Sequence, residues 1–183
     1  MYAFLLPLLL GFALNVASAF TTAYSRRWGE RGGQLATLIL RVFLGMPLWI
    51  FGLILAMRAS SPRLFSSNAL ADALGWLSVA AGCALMVWAL RGLGVQAAMP
   101  SVRDTLREQG AYAHMRHPIY SGMLLEFAGP GLLTPTLPAV IACLLGVGWI
   151  LVQARLEEID LVQRIPAYRE YMGRAPRFLP RLR

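Results

Sequence analysis

The sequence predicts an all-α integral membrane protein with five transmembrane helices, the last two a helical hairpin followed by a cytoplasmic helical tail. Three observations predict it. The 183 residues are 57% hydrophobic and only 14% charged, whereas about a quarter of a soluble globular chain is charged. The apolar residues gather into five runs that approach or reach the ~20 residues a spanning helix needs. All 17 basic residues are Arg and, Arg41 apart, they fall between or beyond those runs, where lipid head groups and membrane orientation select them.

The same numbers exclude other classes. Such an apolar chain does not stay disordered. Its two Cys, Cys83 and Cys143, both sit inside apolar runs, so they do not form a secreted disulfide framework. The formal charge of +8 is scattered among connections rather than gathered on one soluble face, which argues against a nucleic-acid partner. Nothing in the sequence points to an obligate protein partner.

The first run, Tyr2 to Phe20, has only Asn15 and Ser18 as strongly polar members. Ala17-Ser18-Ala19 imitates a signal-peptide cleavage site, but no positive segment precedes it and the Arg cluster follows it, so an uncleaved span is expected. Leu35 to Met57 and Ala69 to Leu90 are the second and third runs. Arg41 and Asp72 lie near the ends of these two, where an Arg snorkels and an Asp caps a helix, and both read as structural. Pro118 to Leu133 is short and precedes Leu137 to Ala154 across Thr134-Pro135-Thr136, which predicts a tight hairpin, tilted or only partly spanning. Glu126, inside the fourth run, is expensive in lipid and is expected to face the bundle interior.

Cytoplasmic connections hold the excess of positive charge. The Arg count runs three in 21–34, two in 58–68, four in 91–117, none in the hairpin turn and seven in the tail from Arg155. Alternate sides then hold fourteen and two. The amino terminus is therefore expected outside, with the 91–117 loop and the tail cytoplasmic. Residues 1–90 read as three scaffold helices and 91–183 as the region that carries chemistry.

Both His, His114 and His117, fall in Gly110-Ala111-Tyr112-Ala113-His114-Met115-Arg116-His117-Pro118-Ile119-Tyr120-Ser121-Gly122. Pro118 suits the first position of a helix, which puts His117 near the cap and Tyr120 and Ser121 one turn on. A helix start beside Arg116 is a site for an anionic group such as a carboxylate. Two plainer readings compete. His114 and His117 at i, i+3 can ligate a metal, but no third ligand type gathers nearby, and no metal is expected. Arg-His-Pro can also be an interfacial helix start that wets the head groups.

The tail supplies the second half of a site. Arg155-Leu156-Glu157-Glu158 continues helically out of the fifth run, with Arg155 and Glu158 spaced to pair. Pro135 and Pro138 at the turn fold this run back on the fourth, bringing Glu157 and Glu158 toward Arg116 and His117. Such a pocket permits a sulfonium methyl donor. Arg116 and the helix start receive its carboxylate, Glu157 or Glu158 its ribose or amino group, and Tyr112 or Tyr120 its ring or cation. A gap between helices admits a lipophilic acceptor sideways.

These residues resemble the isoprenylcysteine carboxyl methyltransferase family of integral membrane enzymes, with the related phospholipid N-methyltransferases close by. The resemblance runs from Leu90-Arg91-Gly92-Leu93-Gly94 through Leu106, Gly110, Tyr112 and Arg116-His117-Pro118-Ile119-Tyr120-Ser121-Gly122. It continues through Glu157-Glu158 and Leu161 to Tyr168, Tyr171 and Pro176-Arg177-Phe178-Leu179-Pro180. It implies an S-adenosylmethionine site built by the carboxyl-terminal half, with earlier helices shaping a lipid-facing substrate entrance. Carried over, His117, Pro118, Tyr120 and Gly122 bind the cofactor together with Glu157 or Glu158, beside the Tyr112 and Arg116 that the pocket reading places there, and Arg155, with Glu158, stands at the chemistry. The implied acceptor is a lipophilic carboxylate such as an isoprenylcysteine. A phospholipid amine is the alternative, and it needs a base, for which Glu126, Glu158 or His117 qualifies.

Two rival readings follow from the same features. Arg-His-Pro-x-Tyr also resembles sterol-type membrane reductases that use NADPH, although those have more spans. A non-enzymatic protein whose Arg-rich tail holds anionic lipid is the second. Gly92-x-Gly94-x-x-Ala97 lacks a preceding strand and is a chance match to a dinucleotide fingerprint.

Overall fold

The computed structural model describes residues 2–66 and 68–180, and over them the chain is all-helical. Arg181 and Arg183, two of the seven tail Arg, lie outside the described residues. The helices are α1 (Leu5–Ala17), α2 (Thr21–Leu38), α3 (Met46–Arg58), α4 (Ala69–Leu93), α5 (Pro118–Leu133), α6 (Leu137–Arg164) and α7 (Tyr168–Arg174). Three stretches are long and apolar enough to cross a membrane: Thr21–Arg58, Ala69–Leu93 and Leu137–Arg164. Helices α1 and α5 have 13 and 16 residues. At 1.5 Å per residue they reach about 20 and 24 Å, short of a hydrocarbon core of about 30 Å.

Two boundaries differ from expectation. The chain turns at Ser18–Phe20, where the Ser18 hydroxyl donates to the Asn15 carbonyl at 2.6 Å, so α1 stops before the apolar run does. The polar segment 21–34, expected as a connection, is helical. Of its charged side chains Glu30 has partners off the helix, accepting from Arg103 at 3.0 Å and from the Ser101 hydroxyl at 2.5 Å. Gly29, at φ 73°, kinks α2. A π-helical stretch, Ile39–Gly45, then joins α2 to α3. Pro47 gives its cause: in a regular helix its ring would strike the Phe43 carbonyl, and a widened turn relieves that clash.

The α4 start is capped by Asn68, whose side chain accepts from the Ala71 N–H at 2.9 Å; Asp72 sits in the same first turn without being the cap. Helix α4 lies along α5, whereas α3 lies against α1 and α6, and α3 and α4 share no packed seam. The α4–α5 seam is backbone against backbone. A Cβ at Gly122 would come within 2.7 Å of the Gly82 carbonyl, and one at Gly82 within 2.6 Å of the Gly122 carbonyl. Lipid does not drive helices together, so close approach through small residues is how such a pair holds.

The apolar core joins α1, α3, α5 and α6 through Leu8, Phe12, Trp49, Phe127, Trp149 and Ile150. Phe12 stacks on Trp149 with ring centres 4.6 Å apart. Residues 134–136 connect α5 to α6, and the Leu64 N–H donates to the Pro135 carbonyl at 2.7 Å, tying that turn to the α3–α4 connection. Helix α6 continues past Ala154 to Arg164, which carries Glu157, Glu158 and Asp160 beyond the apolar core.

Candidate functional site

The start of α5 is shaped by the carboxyl-terminal segment. The Arg116 and His117 N–H groups donate to the Pro176 and Arg177 carbonyls at 2.9 and 3.0 Å, and the Ser121 hydroxyl to the Phe178 carbonyl at 2.7 Å. The Tyr171 hydroxyl donates to the Tyr112 and Met115 carbonyls at 2.6 and 3.1 Å. Pro118 follows the cap as the first, fully buried helical residue, with no N–H of its own to satisfy. This explains locally why a Pro-Arg-Phe-Leu-Pro tail accompanies an Arg-His-Pro start: each supplies hydrogen-bond partners the other lacks.

Against this loop lies the far end of α6. Glu158 is 1% exposed. Its carboxylate accepts from Arg177 at 2.7 and 3.0 Å, meets His117 Nε2 at 3.2 Å and pairs with Arg116 at 3.3 Å. The neighbouring Glu157 faces another way. It accepts from Arg41 at 2.5 Å, the Tyr120 hydroxyl at 2.6 Å and the Gln153 amide at 3.1 Å. Asp160 accepts from the Thr22 N–H at 2.9 Å and from Arg164 at 3.0 Å, and Arg164 reaches Asp104 at 2.7 Å. Three carboxylates within one turn of α6 thus gather the α2 start, the π-helical stretch, the 98–109 loop, the α5 start and the tail around a common point.

A cavity of about 480 Å³ opens there. Tyr112, Arg116, His117, Tyr120 and Glu157 line its polar end, and Met46, Ile50, Met86, Met123 and the ring edges of Trp49 and Trp149 its apolar end. The loop before α5 and the acidic end of α6 therefore do meet and enclose a pocket. Burial pushes the hydroxyls of Tyr112, Tyr168 and Tyr171 above the ordinary phenol range, so they remain protonated donors. The hydrogen bond to Glu158 raises Arg177 and fixes it as a cation. On two lining residues, Arg116 Nε and the Tyr168 hydroxyl are buried without an acceptor in the protein.

Other expected site residues lie elsewhere. Arg155 is exposed on α6 and does not line the cavity; the expected Arg155–Glu158 pair gives way to the contacts of Glu158 with Arg116, His117 and Arg177. Glu158 is behind the wall rather than on it. Gly122 is buried in the α4–α5 seam and Pro118 beneath the α5 start, so both shape the pocket from outside it. His114 lies near Trp88, ring centres 6.0 Å apart, away from His117. Glu126 does line the cavity, as its inward placement requires, and accepts from the Cys83 thiol at 3.1 Å.

Arg41 was not expected here. A lone Arg inside an apolar run satisfies a snorkelling pattern and a buried ion pair equally well, and nothing in the sequence singles out Glu157, 116 residues on, as its partner. The structure makes it an ion-pair partner of Glu157 and part of the cavity wall.

The described chain is all-helical, three of its stretches are of membrane length, and its cavity is lined by charged and hydrogen-bonding groups together with apolar side chains. Residues 70–168 match the phospholipid methyltransferase family. The chain belongs to that family, and it is a membrane methyltransferase. No curated protein and no solved structure matches the chain.

Proposed function

We propose that the chain transfers a methyl group from S-adenosylmethionine to a lipophilic acceptor held at the membrane interface. The observation that carries this reading is the single cavity that joins a charged, hydrogen-bonding end to an apolar one. Its volume lies in the range of small-molecule sites, about 300–1,000 Å³. The residues present fit the donor. Arg116 at the α5 start, with a guanidinium nitrogen lacking an acceptor, suits a carboxylate. Glu157 suits an ammonium or ribose hydroxyls, and Tyr112 and Tyr120 suit a ring or a sulfonium charge. When bound, the donor supplies an electrophilic methyl carbon. Tyr120 and Glu157 orient the donor, His117 and Glu158 hold Arg116 in place, and the apolar wall excludes water, which is how a displacement at carbon is accelerated.

In this reading the acceptor enters sideways between α3 and α4, which both contribute to the cavity lining and share no packed seam. The resemblance to isoprenylcysteine carboxyl methyltransferases favours a carboxylate, which attacks without a base; Arg155, exposed on α6 outside the cavity, would then serve only to draw it in. A specific observation favours a second reading: Glu126 puts a carboxylate on the apolar wall, where an amine acceptor such as a phospholipid head group would need its proton removed. Helices α1 and α5 complete five crossings in this proposal, with the amino terminus outside and the donor site cytoplasmic.

The test is transfer of labelled methyl from S-adenosylmethionine into a membrane lipid extract, with the product identified. Calorimetry should find binding of S-adenosylhomocysteine and not of NADPH; the reverse overturns the assignment in favour of a reductase. Glu126→Gln separates the acceptors: with a carboxylate kcat should stay within about threefold, with an amine it should fall about a hundredfold.

A further inference from the structure

Arg41 lies outside residues 70–168, on the helices that read as scaffold, yet its guanidinium is divided among three separate elements. Nε donates to the Ser18 hydroxyl at 3.1 Å in the turn after α1, Nη1 to the Ala97 carbonyl at 3.1 Å in the turn after α4, and Nη2 to Glu157 at 2.5 Å on α6. The side chain is 18% exposed. Ser18 in turn donates to Asn15, which fixes it as an acceptor toward Arg41. The backbone that presents Arg41 is the π-helical stretch Ile39–Gly45. A regular helix through these residues would turn Arg41 to a different bearing, because each widened turn shifts the side chains that follow.

We propose that Arg41 is a positioning residue for the methyl-donor pocket. It holds the Glu157 carboxylate in register with the Tyr120 hydroxyl and pins the Gly94–Ala97 turn that closes the cavity beside Gln96 and Ala97. The amino-terminal helices thereby complete the donor site. A planar guanidinium fits three acceptors in three directions, which a Lys ammonium on the same backbone does not. Glu157 keeps its bonds from Gln153 and Tyr120 when Arg41 is lost, so the carboxylate stays in the pocket but loses the charged partner that fixes its bearing, and the donor should bind less tightly while the methyl-transfer step is largely kept.

The inference rests on the donor reading above, and the experiment separates the two. Binding of S-adenosylhomocysteine and steady-state kinetics are measured on the full chain for the wild type, Arg41→Ala, Arg41→Lys and Ser18→Ala. Arg41→Ala should raise the donor KM and the S-adenosylhomocysteine Kd about tenfold or more with kcat within about threefold. Arg41→Lys should recover part of the loss, and Ser18→Ala, which loosens the guanidinium without removing it, should give a rise of about threefold in the same constants. If Arg41→Ala fails to fold, the Lys and Ser18 variants decide by the same KM shift. Wild type that binds no S-adenosylhomocysteine overturns the donor reading. Wild type that binds, with folded variants whose KM stays within twofold or whose kcat falls instead, overturns the role of Arg41.

Discussion

At Glu158 one buried carboxylate meets three cationic or imidazole groups, and that excess decides its role. Removing it leaves the largely buried Arg116 and the partly exposed Arg177 without their shared counter-charge. Breaking a buried ionic cluster from one side costs about 3–5 kcal/mol, so Glu158→Ala should lower the thermal midpoint in detergent and also weaken donor binding. His117→Ala removes a neighbour but leaves both guanidinium pairs, and should weaken binding with a smaller loss of stability. Differential scanning fluorimetry beside calorimetry distinguishes them; equal midpoints for the two variants would show that Glu158 is not the keystone of the cluster. The sequence made this cluster legible in kind, since Arg116, His117 and Glu158 were each expected at the site. It did not reveal that Glu158 stands behind Arg116, because adjacent Glu157 and Glu158 are equivalent in pattern, and only the 100° rotation per residue of α6 assigns one to the cavity and one to the wall.

At the scale of elements, the α4–α5 seam sets how far the pocket opens. The Gly82 and Gly122 backbones touch, and Met86 and Glu126 flank them. Adding a side chain there forces the helices apart, typically at about 1–3 kcal/mol. Gly82→Leu should therefore lower stability and reduce donor affinity together, even though Gly82 touches no ligand, while the equally apolar Leu77→Ala, on the exposed side of α4, should change neither; thermal midpoints and S-adenosylhomocysteine binding check both. The long apolar helices α4 and α6 were readable from composition, because lipid demands it. The helix through 21–34 was not, since its one carboxylate, Glu30, finds its partners in the distant 98–109 loop rather than through a stripe readable along the helix. Nor was the π-helical stretch, whose cause, Pro47, reads equally well as an ordinary helix start.

Across the whole molecule, the site is assembled from both ends of the chain. Asn15, Arg41 and Trp49 reach it from the amino-terminal helices, while Pro176 and Arg177 brace it from the tail. The charge distribution that orients the chain is a statement about sequence rather than packing, and it has its own check. Cysteines placed at Ser61 and Glu170, in a background with Cys83 and Cys143 replaced by Ser, should react with a membrane-impermeant maleimide from opposite sides of sealed vesicles. Labelling of both from one side would overturn the five-crossing arrangement.

Residues of both α3 and α4 line the cavity although the two helices share no packed seam, so on the proposed sideways entry acyl chains would border part of it. Lipid packing would then bear on the reaction: ordered, tightly packed chains would narrow the way in and fluid ones would widen it. Turnover should then vary with the order of the surrounding lipid, which kinetics in vesicles of gel-phase and fluid chains would check.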